Sequence, residues 1–235
     1  MFENVKVAYH LLREALSGGN LKALFKQQVF WKRLATPTEI DLTGVIPSPA
    51  KLLHGTDCQF AELNMDDLRA GKWTFVSPSR RLKALRNIKR GLRCFALIKD
   101  SSVVGDMWCA VPNGKGSPAT HRDLDMLGIV CKEKEAYTVD MFIDPTVQGK
   151  NMAVPLLHFI HATLKAEGFR KIYGYYWNDN LPTLWMHRML KFRELPKKRV
   201  YRFFSYIRTE EVGQASVSAP KTGEGHSSRK SRTKK

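Results

Sequence analysis

The residues best suited to chemistry lie in one segment, where a strand-like run ends in a glycine-containing turn. The run from Tyr137 to Ile143 reaches Asp144-Pro145, and the turn that follows leads directly into an apolar stretch with helical spacing. The first N–H groups of a helix have no partner within the helix, and the helix dipole makes that end positive. We therefore predict an anion site at this turn, suited to a diphosphate, with Lys150 adding positive charge at its rim.

One carboxylate, Asp140, lies inside the apolar part of the same strand. A carboxylate beside a reacting group can act as a general base, and we predict that role for Asp140. Two other interpretations stay open: a structural hydrogen-bond acceptor, and an anchor for the ammonium group of a substrate.

The segment resembles the signature of the GNAT acetyltransferases. In that superfamily a strand and a proline-containing turn precede Arg or Gln, two residues, Gly, one residue, and Gly or Ala. Gln148, Asn151 and Ala153 take those three places, with Pro145 at the usual distance before them. Asn151 departs from the family's Gly, but Asn is the non-glycine residue that best tolerates a left-handed backbone.

A later segment resembles the late helix of the same family. Asn180, Thr183, His187 and Phe192 occupy the places of an Asn, a small residue, a Tyr and the Phe of a Gly-Phe pair, and Lys191 replaces the Gly. Many members of the family use the Tyr to protonate the departing sulfur, so the resemblance implies that His187 is a catalytic acid, a job that an imidazole can do. Packing on the helix or facing solvent is the alternative for His187.

The resemblance covers most of residues 56–207 and implies that the chain binds acetyl-CoA or a related acyl-CoA. In the family, main-chain amides of a bulged central strand hold the pantetheine and the acyl carbonyl, the turn holds the diphosphate, and the late Asn holds the pantetheine amides. The cofactor-binding residues implied here are Met141, Phe142, Ile143, Gln148, Gly149, Lys150, Asn151, Met152, Ala153 and Asn180. The implied reaction is direct acyl transfer to a primary amine, because no Cys or Ser has a recognisable nucleophile setting.

The elements that must position these residues alternate between strand-like and helical runs, which is typical of an α/β or α+β fold. We predict a twisted, mixed sheet flanked by helices, as in the GNAT fold. Strands are predicted at 58–63, 92–98, 103–111, 136–143, 172–177 and 200–207. Helices are predicted at 65–70, 79–90, 154–166 and 181–190, the second of them strongly basic and either a solvated face or a border of the acceptor site.

Residues 56–208 form the predicted acyltransferase domain, between an extension and a tail. Residues 1–55 are expected to be an N-terminal extension whose prolines, from Pro37 onward, make it irregular or edge-like. Residues 209–235 are basic and almost free of large apolar side chains, so we expect a disordered tail.

Composition limits the classes of partner. With 39 Lys and Arg against 22 Asp and Glu, the net charge of +17 favours anionic company, including nucleic acid, an acidic membrane surface or an anionic acceptor. No apolar run is long enough for a membrane-spanning helix, and no signal peptide is recognised, so we expect a cytoplasmic protein, either free or peripheral to an acidic surface. The four cysteines are widely spaced, which predicts packed thiols and no metal site.

Two alternatives to a free enzyme remain open. One is a degenerate GNAT scaffold that binds nucleic acid or associates with ribosomes, motivated by the net charge and by Asn151. The other is an enzyme whose N-terminal segment, rich in Leu, Phe, Trp and Lys, docks on an acidic membrane.

Overall fold

The computed structural model describes residues 30–44, 56–114, 118–147, 152–203 and 206–212. Within these ranges the chain forms one mixed sheet with helices on both faces, which confirms the predicted fold class. The strands are β1 (Phe30–Asp41), β2 (Cys58–Leu63), β3 (Thr74–Phe75), β4 (Arg93–Lys99), β5 (Ser102–Ala110), β6 (Glu135–Ile143), β7 (Lys171–Trp177), β8 (Arg193–Glu194), β9 (Lys198–Phe203) and β10 (Tyr206–Glu211). The helices are α1 (Met65–Arg69), α2 (Pro78–Lys89), α3 (Arg122–Leu127), α4 (Ala153–Ala166) and α5 (Leu181–Met189).

The strands follow the order β10-β9-β1-β7-β6-β5-β4-β2. Along this path each neighbouring pair is antiparallel except β6 and β7, which run parallel. A parallel pair requires a crossover connection, and α4 lies on the crossover between β6 and β7. The two strands of the one parallel pair in this path therefore directly precede and follow α4 in the chain.

Different helices cover the two faces of the sheet. Leu156 of α4 and Met186 of α5 share a buried cluster with Phe95 of β4, so we call this side the α4/α5 face. Ala84 of α2 and Leu124 of α3 belong to buried clusters on the opposite side, the α2/α3 face. Side chains along a strand alternate between faces, so the parity of a residue decides which helices it meets.

Strand β1 corrects the expectation for the N-terminal region. Residues 30–41 were expected to lie in an irregular extension, but they form a strand between β7 and β9. Pro37 is tolerated because β1 changes partner there: β9 pairs up to Ala35, β8 pairs from Thr38, and the Pro37 carbonyl accepts from the Leu195 N–H at 2.8 Å. A residue in a strand points its N–H and C=O to the same side, so the missing N–H of Pro37 falls in the gap between the two ladders.

The C-terminal part of the sheet also differs from the prediction. The single strand expected at 200–207 is a hairpin of β9 and β10. Its pairs run from Lys198↔Glu211 at the open end to Phe203↔Tyr206 next to the turn. Strand β10 extends to Glu211, so the first residues assigned to the disordered tail belong to the sheet. The rest of that tail, from residue 213, lies outside the described residues. Helix α3 was not predicted.

Candidate active site

The two parallel strands in the middle of the sheet separate towards their carboxyl ends. Strands β6 and β7 are paired only from Glu135↔Lys171 to Tyr137↔Tyr173 among the described residues, although β6 continues to Ile143 and β7 to Trp177. The separation leaves an opening that begins at Thr138 and Gly174, which we call the strand opening. Main-chain groups of both strands border it, so an extended polar molecule can hydrogen-bond there as an inserted strand would.

A bulge deforms β6 beside this opening. Trp108 of β5 pairs with Val139 and Asp106 pairs with Phe142, so two residues of β6, Asp140 and Met141, lie opposite one residue of β5. Asp140 has φ 57°, in the left-handed region that non-glycine residues seldom adopt. A bulge of this kind re-aims the backbone locally and commonly occurs next to active sites.

Ion pairs with α2 hold the bulge on the α2/α3 face. The Asp140 carboxylate pairs with Lys83, and its Oδ2 lies 3.8 Å from a guanidinium nitrogen of Arg80. Arg80 also pairs with Asp106, which is 1% exposed and accepts a hydrogen bond from the Trp108 indole at 3.0 Å. Burial raises the pKa of Asp106, while Arg80 opposes that shift. The basic helix is therefore partly buried against the bulge at these positions.

The sequence alone does not bring Arg80 and Lys83 of α2 together with Asp106 of β5. Arg80 and Lys83 were read as part of either a solvated face or an acceptor-site border, and Asp106 was not singled out. Asp106 interrupts the apolar run of β5, and a carboxylate in such a run calls for a cationic partner. That interruption was the available signal.

His187 lies on the opposite face of the sheet, under α5. It is 6% exposed and packs edge-on against Phe192, with ring centroids 4.7 Å apart. A Cβ built on Gly174 would lie 3.5 Å from His187 Nε2, 3.3 Å from Thr138 Oγ1 and 3.5 Å from Thr38 Oγ1. The imidazole therefore adjoins the start of the strand opening.

The hydrogen bonds of His187 define its tautomer. Its Nδ1 lies 2.8 Å from the carbonyl oxygen of Thr183, and because a carbonyl can only accept, Nδ1 carries the hydrogen. In a neutral ring, Nε2 then bears the lone pair. Burial lowers the pKa of His187, partly offset by the Thr183 hydrogen bond and by Glu194. Near neutral pH this imidazole is a proton acceptor on the side of Gly174.

A buried hydroxyl lies beside the same point. Thr38 is fully buried, and its Oγ1 has no hydrogen-bond partner among the described residues, whereas Thr138 Oγ1 donates to the Tyr173 carbonyl at 3.1 Å. A buried polar atom without a partner costs free energy, so a ligand or water group that reaches it gains one hydrogen bond. Gly174 has no side chain, and the Thr38, Thr138 and His187 side chains lie close around the point that a Cβ would occupy.

The other predicted site residues lie in β6, at the start of α5, and in or next to the turn before α4. Met141 and Ile143 pack their side chains into the core of the α4/α5 face, and Phe142 lies under Arg80, 4.5 Å from the guanidinium carbon to the ring centroid. Asn180 caps α5, accepting from the Thr183 N–H at 3.3 Å. The residues from 148 to 151, namely Gln148, Gly149, Lys150 and Asn151, lie outside the described residues. Asp140 and His187, predicted as a catalytic pair, have their side chains on opposite faces of the sheet.

The first turn of α4 differs from those of the other described helices. Asn64, Ser77, His121 and Asn180 each accept a hydrogen bond at the start of a helix, but Met152, at the start of α4, provides no side-chain cap. Met152 therefore offers no side-chain acceptor to the first N–H groups of α4, which begin at Ala153. Such groups are suitable donors for an anion.

Three further observations concern metal sites, membranes and thiols. Within the described ranges, no group of three or more His, Cys, Asp or Glu side chains is arranged to hold a metal ion. No helix in those ranges is both long and apolar enough to cross a membrane. Three of the four thiols, those of Cys94, Cys109 and Cys131, are buried, as predicted.

Comparison with known proteins bears on the fold of the chain. No protein-family model and no curated protein matches the chain. Among solved structures, it is similar to the GCN5-related glucosamine N-acetyltransferase region of a fungal multi-domain β-N-acetylglucosaminidase, with TM-score 0.51 and 12% identity over 77% of this chain and 22% of that one. An acetyltransferase of the GNAT family from Colwellia psychrerythraea gives TM-score 0.45 and 13% identity, covering 79% of this chain and 61% of that one.

A GCN5-related N-acetyltransferase from Sphaerobacter thermophilus gives TM-score 0.45 and 12% identity, covering 82% of this chain and 56% of that one. The chain therefore spans less than two thirds of each of these proteins. At such identities the likeness concerns the fold alone, and the chain has the GNAT acetyltransferase fold.

Proposed function

We propose that this protein transfers an acyl group, in the simplest case acetyl, from acyl-CoA to a primary amine. The observation that carries the proposal is the strand opening, bordered on one side by the bulge at Asp140 and followed by the start of α4, where Met152 provides no side-chain cap. An acyl-CoA is long, amide-bearing and anionic at one end. The strand opening suits the length and the amides of this molecule, and the start of α4 suits its anionic end.

The described residues suit an acyl-CoA at two points. The pantetheine amides match the main-chain groups that border the opening, and the unpartnered Thr38 hydroxyl lies near its start. The diphosphate matches the first N–H groups of α4, those of Ala153 and Val154. Residues 148–151 complete that turn in the sequence, and their part in binding rests on the sequence resemblance.

The bulge provides the feature needed to stabilise the transition state. When a neutral amine attacks a thioester, negative charge develops on the carbonyl oxygen. The main-chain N–H group of Met141, re-aimed by the bulge, is the proposed donor to that oxygen, because Phe142 pairs with Asp106 of β5. In this proposal Arg80, Lys83 and Asp106 act indirectly, by holding the bulge in place.

The proton transfer is assigned to His187. The amine nitrogen forms the new C–N bond, its proton passes to the neutral imidazole, the C–S bond breaks, and the imidazolium returns the proton to the thiolate. The products are an amide and free CoA, with no covalent enzyme intermediate. Asp140 as the general base, the role predicted from sequence, is the alternative, as is His187 acting only as an acid.

The amine acceptor is a primary amine of unassigned structure. An anionic acceptor stays a hypothesis based on the net charge of +17. The non-catalytic nucleic-acid scaffold gains no support from the comparisons, which consist mostly of acetyltransferases.

A thiol-release assay tests this proposal. The purified protein is incubated with acetyl-CoA and a panel of primary amines, and free CoA is measured with a thiol reagent. We expect release that requires an amine and saturates with acetyl-CoA, with the acetylated amine identified by mass spectrometry. Thiol release that is independent of every amine in a broad panel, or no release from a protein that binds acetyl-CoA, contradicts transfer to an amine.

A further inference from the structure

The β9–β10 hairpin carries an exposed aromatic and basic surface that the proposed acyl transfer does not use. Two strands, β1 and β9, separate β10 from β7 and the strand opening. A shallow groove of about 400 Å³ lies on the hairpin, and both strands contribute to its lining. We define the hairpin surface by Lys32, Tyr201, Phe203, Tyr206 and Arg208.

The strand register places these side chains on one side of the sheet. Lys32 and Arg208 are both opposite Tyr201, one on each neighbouring strand, and Phe203 is opposite Tyr206. Directly opposite residues share a face, as do residues two apart on a strand. The intervening Val200 and Ile207 point to the α2/α3 face, where they join the cluster around α3.

The aromatic rings of this surface are accessible to solvent. Tyr206 is 67% exposed and Phe203 is 56% exposed. Tyr201 is half-buried, and its hydroxyl donates to Glu210 at 3.2 Å, which fixes the ring in the middle of the row. Phe203 and Tyr206 are neighbours across the hairpin, and a contiguous exposed apolar patch commonly marks an interaction site.

Cations flank the rings. Lys32 Nζ lies 5.5 Å from the centroid of the Tyr201 ring, and Arg208 pairs with Glu210 at 2.9 Å. By register, Arg199 belongs to the same face, so Lys32, Arg199 and Arg208 against Glu210 give three minus one, a net charge of +2. Rings interleaved with positive charge suit a ligand that offers flat π faces joined by anionic links.

We propose that the hairpin surface binds a single strand of nucleic acid, with bases stacked on Tyr206 and Phe203 and phosphates beside Lys32 and Arg208. Stacking on aromatic side chains together with a basic track is the general mode by which sheets bind single strands. The charge complementarity extends to the chain as a whole, whose net charge is +17. Base pairing would bury the faces that this surface needs, so single strands bind more tightly than duplexes.

Fluorescence anisotropy tests the proposal with the full chain and a labelled 12-nucleotide oligouridine at about 0.15 M salt, the physiological value. Tyr206→Ala removes one stacking platform and should weaken binding by about fivefold to a hundredfold. Tyr206→Phe keeps the ring and should bind like the wild type. The matched control is Trp185→Ala, which removes a ring that is 65% exposed on α5 and should leave the affinity unchanged.

A salt titration tests the phosphate contacts separately. Lys32→Ala should reduce the slope of log affinity against log salt by roughly 0.7, the value for one phosphate contact on a single strand. Arg69→Ala, which removes a side chain 72% exposed on α1, should leave the slope unchanged. Circular dichroism of each variant verifies that the fold is intact.

Several results would overturn this inference. One is an oligouridine affinity that is the same for Tyr206→Ala and the wild type, since the RNA would then be bound at another surface through the positive charge of the chain. The absence of single-strand binding at physiological salt is another. A loss of binding to phosphatidylserine vesicles on Tyr206→Ala, with RNA binding unchanged, would identify a membrane surface instead, and a change in oligomeric state on the same substitution would identify a second copy of the chain.

Discussion

At the scale of single residues, Asp140 has two candidate roles, general base and anchor of the bulge. Its carboxylate is engaged by Lys83 and lies near Arg80, while its backbone adopts a left-handed conformation. Asn tolerates that conformation, so Asp140→Asn removes the charge without straining the turn. Lys83→Met breaks the same ion pair from the other side and keeps the carboxylate.

These two variants separate the roles. We expect Asp140→Asn and Lys83→Met to lower kcat to a similar extent, because both release the bulge from α2. Steady-state kinetics with saturating acetyl-CoA measure the effect. If Asp140 is the base, only Asp140→Asn should lose activity, by about a hundredfold to ten-thousandfold. A nearly normal Lys83→Met beside an inactive Asp140→Asn would therefore contradict the anchoring role.

His187 is tested by the direction of its pH profile. Burial lowers its pKa, and Nδ1 is committed to Thr183, so the ring is neutral near pH 7. With a weakly basic amine that stays neutral across the range, we expect activity to be constant from pH 7 upward and to fall on acidification, as the acceptor lone pair is protonated. His187→Tyr should lose about a hundredfold, the usual size of a proton-transfer contribution.

The opposite profile would contradict this role. A catalytic acid with a lowered pKa works only below that pKa, so activity would fall as the pH rises towards neutrality. His187→Tyr would then restore a proton donor at the place where GNAT enzymes commonly have one. If His187→Ala instead has the same rate as the wild type at every pH, His187 is a packing residue.

At the scale of elements, the close approach of β5 and β6 near the bulge depends on Gly105. A Cβ at Gly105 would lie 2.8 Å from Cδ1 of Ile143 and 3.3 Å from the carbonyl oxygen of Phe142. Gly105→Ala should therefore lower the free energy of unfolding by about 1–3 kcal/mol, as overpacking does. Urea denaturation measures this, with Gly44→Ala as the control because a Cβ there meets nothing within 4 Å. Equal stability of the two variants would show that β6 can shift away freely.

Most elements could be predicted from sequence because their patterns are local. The helical spacing of the apolar residues in α4 and the strand-like run of β6 each depend on neighbouring residues alone. Strand β1 could not be predicted in this way. Its proline is acceptable only because two different ladders meet at Pro37, which is a property of the tertiary arrangement.

The candidate site was predictable only in part, for a similar reason. The resemblance implies a bulge in the central strand with Met141, Phe142 and Ile143 as backbone contacts, and the structure has a bulge at Asp140 and Met141. The role of Arg80, the burial of Asp106 and the tautomer of His187 depend on contacts between elements distant in the chain. Helix α3 was missed because it has only six residues, too few for a periodic pattern.

At the scale of the whole molecule, a buried histidine limits stability in acid. His161 is 2% exposed, and burial, with the nearby His158 and His187, lowers its pKa to about 3. The unfolded chain binds this proton near the ordinary pKa of about 6.5, so the contribution is fully present above that value and is lost as the pH falls towards 3. The loss is about 1.4 kcal/mol per pH unit within this window.

Urea denaturation between pH 7.5 and pH 4.5 measures this effect. The other buried histidines contribute to the slope in the wild type and in His161→Leu alike. The variant should therefore show a shallower dependence of the unfolding free energy on pH, by one proton. Parallel curves for the two proteins would show that His161 gains its proton in the folded state as readily as in the unfolded chain.

Binding of acyl-CoA by the strand opening and the start of α4 can be measured by calorimetric titration of the full chain with acetyl-CoA. We expect saturable binding of one molecule per chain, together with a stabilisation of about 2.7 kcal/mol at a hundredfold excess over the dissociation constant. Acetylated pantetheine, which lacks the diphosphate, should bind far more weakly. If millimolar acetyl-CoA gives neither a heat of binding nor any stabilisation, the strand opening and the start of α4 are not an acyl-CoA site.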